Sequence, residues 1–241
     1  MWYEHKTKYR ICSWFLSWRL VLEKILPFFN PNEFNIYTPT LTGLGDRSHL
    51  VNEFTDLYIH IEDILQIFEY EDLSDVILVG HSYAGMIISG VAEVIPDKIQ
   101  LMIYLHAYIP QDGKTAFDLV PGLIDLYRGR TLKDQNKPWL VKSYTPDEFG
   151  ITNPEDIAWV EPKLVPMPWH THDEPLKIQN EKAKKIPRAF ITSAEFGEGM
   201  FERQGMDEKN KWDYYYEIKR GHDVMITAPK ELSEVIQNII R

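Results

Sequence analysis

Ser82 lies in the run Val-Ile-Leu-Val-Gly-His-Ser-Tyr-Ala-Gly-Met (76–86), which predicts an apolar strand, a tight turn and a helix opened by small residues. A serine held on a strained strand-to-helix turn presents its hydroxyl outward, as a nucleophile must. Gly80 leaves room for the sharp backbone path. The N–H groups of Tyr83 and Ala84 open the helix and can stabilise developing negative charge. In the usual G-x-S-x-G pattern a second glycine follows; here Ala84 stands in that place, with Gly85 one residue later.

A serine nucleophile needs a base, and the chain order for this geometry is Ser, then Asp or Glu, then His. Trp212 to Ile218 is aromatic and ends in alternation, as a strand does, and leads into Lys219-Arg220-Gly221-His222-Asp223. His222, on a loop just past that strand, is the expected general base for Ser82. Pro229 then opens a final amphipathic helix running to Arg241.

The elements that must position these residues follow from periodicity. Phe34 to Thr38, Val76 to Val79, Ile99 to Leu105, Arg188 to Ser193 and Tyr214 to Ile218 read as strands; Leu57 to Tyr70 and Tyr83 to Val94 read as helices. Strands alternating with helices predict an α/β fold, a mostly parallel central sheet covered by helices on both faces. Residues 111–185 break the rhythm with prolines and aromatics, and short helices are expected at Phe117 to Tyr127 and Pro154 to Val160. The expected division is a core of residues 1–110 and 186–241 with a cap, residues 111–185, inserted over the site.

Composition narrows the partners. With 241 residues and 44% hydrophobic content, the chain can bury a sizeable core. A formal net charge of −10, with no large run of basic residues, argues against a nucleic-acid partner. The single Cys12 forbids an internal disulfide and fits a reducing compartment. Lys6, Lys8 and Arg10 precede the apolar stretch Ile11 to Trp18, but Arg19, Glu23 and Lys24 interrupt it; an amphipathic helix from Leu16 to Phe29, cut short near Pro27, is the better reading. No segment approaches the ~20 apolar residues of a membrane span. A cytoplasmic protein, compatible with a homodimer, is expected.

The segment Thr38-Pro39-Thr40-Leu41-Thr42-Gly43-Leu44-Gly45-Asp46-Arg47-Ser48-His49-Leu50, joined to the Ser82 turn, resembles the α/β-hydrolases. More narrowly it resembles bacterial esterases related to plant methylesterases and hydroxynitrile lyases. Tyr104 to Gly113, Pro162 to Pro168 and Gly221 to Thr227 extend the resemblance, which runs from about residue 14 to the end. It implies an α/β core with a small cap, no cofactor, and cleavage of acyl esters through a serine triad.

Two departures stand out. The family's first strand ends in a His-Gly loop that supplies an oxyanion N–H, whereas Tyr9 to Ser13 contains no glycine. Ile11 or Cys12 is the expected donor there, beside Tyr83. Loss of one such donor costs ~10²–10³ in turnover. The acid is the second departure. Where plant relatives carry aspartate after the strand 188–193, this chain has Ala194-Glu195-Phe196-Gly197-Glu198, with Phe196 at the acid's position. Many bacterial relatives instead place aspartate where His106 stands. Glu195 is the nearest carboxylate to orient His222 and Glu198 the next, with solvated loop glutamates as the alternative.

His81 is expected to pack away from Ser82. Phe117, Trp139, Met167 and Trp169 are candidates to line an apolar substrate pocket, or else to form the cap's own core; His106 is a candidate for the pocket's floor, or else a hydrogen-bonded core histidine. His170 and His172, at i and i+2 in a Pro-rich loop and followed by Asp173, form a weak metal signal; the family resemblance implies no metal, and none is expected. The expected activity is hydrolysis of a small, mostly apolar carboxylic ester through an acyl-enzyme. The alternatives are a catalytically impaired ligand-binding homologue and a hydroxynitrile lyase. The lyase is disfavoured because Asp223 follows the histidine where those relatives carry lysine.

Overall fold

The computed structural model describes residues 9–14, 22–193 and 211–241. Its strands are β1 (Tyr9–Trp14), β2 (Phe34–Tyr37), β3 (Val76–His81), β4 (Ile99–Leu105), β5 (Thr131–Leu132), β6 (Lys137–Val141), β7 (Met167–Pro168), β8 (Arg188–Ser193) and β9 (Tyr214–Ile218). Its α-helices are α1 (Leu57–Tyr70), α2 (Ala84–Val94), α3 (Ala116–Leu119), α4 (Leu123–Arg130), α5 (Pro154–Val160), α6 (His170–Asp173), α7 (Val224–Thr227) and α8 (Pro229–Ile240).

Six strands form one sheet in the order β2-β1-β3-β4-β8-β9, every neighbouring pair parallel. The chain reverses its direction of growth between β1 and β3, which opens a crevice at the carboxyl ends of those strands. Open α/β sheets bind ligands at such a point.

Strand alternation builds the two cores. Val76 and Leu78 of β3, Met102 and Tyr104 of β4 and Phe190 of β8 face the layer holding α1 and α2. Ile77, Val79, Ile103, Leu105, Ala189 and Ile191 face the other layer, with Ile226 of α7 and Leu232, Ile236 and Ile239 of α8. All six residues of β3 are buried, which is why it reads as a continuous apolar run rather than an alternating one. At the start of α1, Asp56 accepts a hydrogen bond from the Ile59 N–H at 2.8 Å and so caps the helix.

The expected elements are present with small shifts, and two differ. The helix expected from Phe117 to Tyr127 is two, α3 and α4, parted at Pro121 and Gly122. Of the helix expected from Leu16 to Phe29, residues 15–21 lie outside the described residues; beyond them a single 3₁₀ turn spans Leu26–Phe28, with Leu22, Ile25 and Phe29 buried. The excursion between β4 and β8 also holds a small antiparallel sheet, β5-β6-β7, that the sequence did not reveal. Among the described residues no helix is long and apolar enough to cross a membrane.

Candidate active site

Ser82 follows β3 directly and has φ +55, the left-handed region that non-glycine residues rarely occupy. Three main-chain bonds hold it there. Its N–H donates to the Leu105 carbonyl at 3.2 Å, and its carbonyl accepts from Gly85 N–H at 3.1 Å and Tyr108 N–H at 3.0 Å. The glycines on either side permit this turn. A Cβ on Gly80 would lie 2.7 Å from the Ala84 carbonyl oxygen, and one on Gly85 only 2.1 Å from that of Tyr108. Gly85 thus meets the steric need behind the motif's second glycine, and Ala84 in the usual position is tolerated.

Three imidazoles gather at this edge of the sheet. The His222 ring lies 4.4 Å from His81 and 5.1 Å edge-to-face from His106, centroid to centroid. Phe149 stacks on His222 at 6.0 Å and 15°. Burial, reinforced by the two neighbouring histidines, holds His222 well below the usual imidazole range. Burial likewise takes His81 down to about 3 and His106 to about 4. All three are neutral near pH 7, so His222 has a lone pair with which to accept a proton.

The loop carrying His222 is set from two sides. Gly221 packs against Gly150, where a Cβ on Gly221 would fall 2.6 Å from the Gly150 carbonyl oxygen. The Ser193 hydroxyl donates to the Gly221 carbonyl at 2.7 Å and also contacts that of Arg220. Ser193 N–H donates to His106 Nδ1 at 3.0 Å. With Nδ1 accepting, the proton of neutral His106 sits on Nε2, which makes that nitrogen a donor. Ser193 was not singled out from sequence, because it ends an ordinary buried strand. His81, expected to point away from Ser82, donates from Nε2 to the His222 carbonyl at 3.0 Å and lies 3.9 Å from Asp223 Oδ1. This is no ion pair, since His81 is neutral; burial alone raises Asp223 to about 7.

The expected oxyanion donors divide. Among the described residues no main-chain hydrogen bond takes the Tyr83 N–H, at the mouth of α2. Ile11 and Cys12, the other expected donors, are strand residues. They lie inside β1, paired with Ile36 and Tyr37 on one side and with Ile77 and Leu78 on the other, short of Trp14, which stands opposite Gly80. Their main chain belongs to the sheet, and the loop after β1 falls in residues 15–21, outside the described residues. Glu195, Phe196 and Glu198 also lie outside them.

The expected pocket residues disperse. Met167 lines a small apolar cleft, partly open to solvent, together with Leu44, Tyr127, Val141, Tyr144, Phe149, Leu164 and Val165. Phe117 and Trp169 pack on each other at 4.8 Å and form a small aromatic cluster with Tyr127 and His172. Trp139 is half-buried on β6, its carbonyl accepting from Trp169 N–H at 2.8 Å. His106 sits beside His222 rather than in the cleft. Phe149 connects the two regions, lining the cleft while stacking on His222.

Among the described residues, two groups present ligand atoms within 4.8 Å of one another: His81, His222 and Asp223, and His170, Asp173 and Glu174. In the first, His81 Nε2 is already committed to a carbonyl; in the second, His170 Nδ1 bonds Asp173 at 3.0 Å. His172 is parted from His170, turning inward against Tyr83 at 4.9 Å.

Fold and site define a class, and the comparisons agree with it. The profile of the "Alpha/beta hydrolase family" matches residues 12–235, and the chain belongs to that family. It is 33% identical over 207 residues to the carbendazim hydrolyzing esterase of Nocardioides sp. (strain SG-4G), covering 83% of this chain and 85% of that protein. It is 24% identical to the putative chloroplastic methylesterase 13 of Arabidopsis thaliana, covering 90% of this chain but 52% of that protein. Among solved structures, an extracellular α/β-hydrolase from a Paenibacillus species superposes with TM-score 0.79 at 19% identity, covering 95% of this chain and 97% of the other. Methylesterase MES16 from Arabidopsis gives 0.76 at 20%, covering 96% and 98%. At those identities the structures establish the fold. The chain is an α/β-hydrolase with esterases among its relatives.

Proposed function

We propose that the protein is a serine esterase acting on a small, mostly apolar carboxylic ester. Ser82 Oγ attacks the ester carbonyl carbon while the His222 imidazole takes the hydroxyl proton. The tetrahedral oxyanion accepts a hydrogen bond from the Tyr83 N–H. The C–O bond then breaks, and the departing alkoxide takes the proton back from His222. Water, deprotonated by the same imidazole, releases the acid from the acyl-enzyme.

The observation that supports this most is the left-handed backbone of Ser82 at the β3–α2 turn, a strain that persists only where surrounding contacts impose it. The neutral His222 and the largely apolar cleft behind Phe149 support the base and the substrate class. The names of the esterase and methylesterase relatives point to the same reaction. Residues 111–185, which supply most of the cleft wall, would act as the cap.

His106 favours one rival, a ligand-binding homologue with little turnover. It stands where a carboxylate is expected and offers a donor instead of an acceptor. Hydrolysis of p-nitrophenyl esters by wild type and Ser82→Ala separates the two. The esterase reading expects turnover that Ser82→Ala abolishes with the fold intact; substantial activity in Ser82→Ala would end it.

A further inference from the structure

The Tyr83 side chain is fixed by a hydrogen-bond chain whose protons can all be placed. His60 Nε2 lies 2.8 Å from the Thr42 carbonyl, to which it must donate, so His60 Nδ1 accepts from the Tyr83 hydroxyl at 3.1 Å. Thr42 is fixed in turn, its N–H and hydroxyl donating to the Asp63 carboxylate at 2.6 and 2.9 Å. Arg47 donates to the same carboxylate at 3.0 Å and to the Thr42 hydroxyl oxygen at 2.9 Å.

The opposite constraint comes from the inserted segment. His172 of α6 stacks on the Tyr83 ring, 4.9 Å between centroids and 18° between planes. Its own ring is pinned at both nitrogens. The Thr171 hydroxyl donates to the Pro168 carbonyl at 2.6 Å and therefore accepts from His172 Nδ1 at 2.8 Å. His172 Nε2 then accepts from the Tyr127 hydroxyl at 2.9 Å. Tyr83, His60, His172 and Thr171 are all at most 1% exposed. Burial holds both imidazoles below their ordinary range and both phenols above it, so these four rings stay neutral. A buried network with all its partners present has a single arrangement.

We propose that His172 is a positioning residue for the Tyr83 main-chain N–H. It clamps the Tyr83 ring against the His60 anchor and so fixes the peptide between Ser82 and Tyr83, aiming its N–H at the oxyanion. The proposal rests on the esterase reading, and it makes the inserted segment part of the catalytic geometry as well as a wall of the cleft. An oxyanion donor acts only when its direction is set before the reaction, and a small misplacement is costly.

The test counts competent Ser82 sites by end-point fluorophosphonate labelling, then measures kcat per labelled site and KM on a p-nitrophenyl ester. His172→Ala should lower kcat per site at least tenfold with KM within threefold, and His172→Phe, which keeps a stacked ring, should recover most of it. A packing role alone would lower the melting temperature and the number of sites, leaving kcat per site unchanged; that result overturns the proposal while the esterase reading stands. If His172→Ala does not fold, Thr171→Val loosens the same ring and should lower kcat per site about threefold; an unchanged value overturns the proposal. A wild-type protein that fails to label overturns the esterase reading and this proposal with it.

Discussion

His106 lies edge-to-face against His222, with 5.1 Å between ring centroids, and its Nδ1 accepts the Ser193 N–H. The residue at the end of β4 therefore turns a donor nitrogen, not an acceptor, to its surroundings. A triad base works best when an acceptor holds its far N–H, because that fixes the tautomer and stabilises the imidazolium.

His106→Asp replaces that donor with a carboxylate. One oxygen can keep the Ser193 N–H while the other faces His222, where its charge stabilises the imidazolium formed during turnover. We expect kcat/KM on p-nitrophenyl acetate to rise by about tenfold. No gain in a folded variant would mean that the residue following β4 has no hold on His222.

Acid should destabilise the fold. Burial lowers His60, His81, His106, His172 and His222 from their ordinary range, so between their folded values and about 6.5 the unfolded chain binds more protons. Stability from these groups is full above 6.5 and is lost as pH falls below it. Asp223, raised to about 7, acts oppositely, adding stability at low pH that is lost as pH rises through 7. Five groups outweigh one. The melting temperature should drop by ~5 °C or more between pH 7.5 and 5.0; an unchanged value would contradict the neutral assignment of the cluster.

Two glycine substitutions should have opposite effects. At Gly85 an added methyl meets the Tyr108 main-chain carbonyl, which cannot yield without moving the bond from Tyr108 N–H to Ser82. Gly85→Ala should destabilise by ~1–3 kcal/mol and impair turnover. Gly129, inside α4, has open space around it, and Gly129→Ala should stabilise by ~0.5–1 kcal/mol. Urea unfolding reads both.

The cleft behind Phe149 should select substrates by size. Val165 lines it, and Val165→Trp fills part of it. KM for p-nitrophenyl hexanoate should rise at least fivefold, and that for the acetate less than twofold. Equal changes for the two esters would place substrate elsewhere.

The turn bearing Ser82 was legible because strand, glycine, serine and helix are contiguous, and the core strands because buried parallel strands are unbroken apolar runs. His222 was legible from its place after a late strand. What escaped the sequence is contact between distant segments. Nothing local announces that Ser193 ties His106 to the His222 loop, that Gly150 meets Gly221, or that His172 folds back onto Tyr83. Strands β5 and β7, two residues each, are too short for alternation to register. The end of β1 was hard to read for a related reason: no glycine marks it, and the strand runs on to Trp14.

Activation of Ser82 by His222 is tested by adduct mapping with mass spectrometry after treatment with a fluorophosphonate. A single adduct on Ser82 in the wild type, lost in folded His222→Ala, is expected. A well-folded wild type that stays unmodified, or a His222→Ala variant that labels at the wild-type rate, would contradict it.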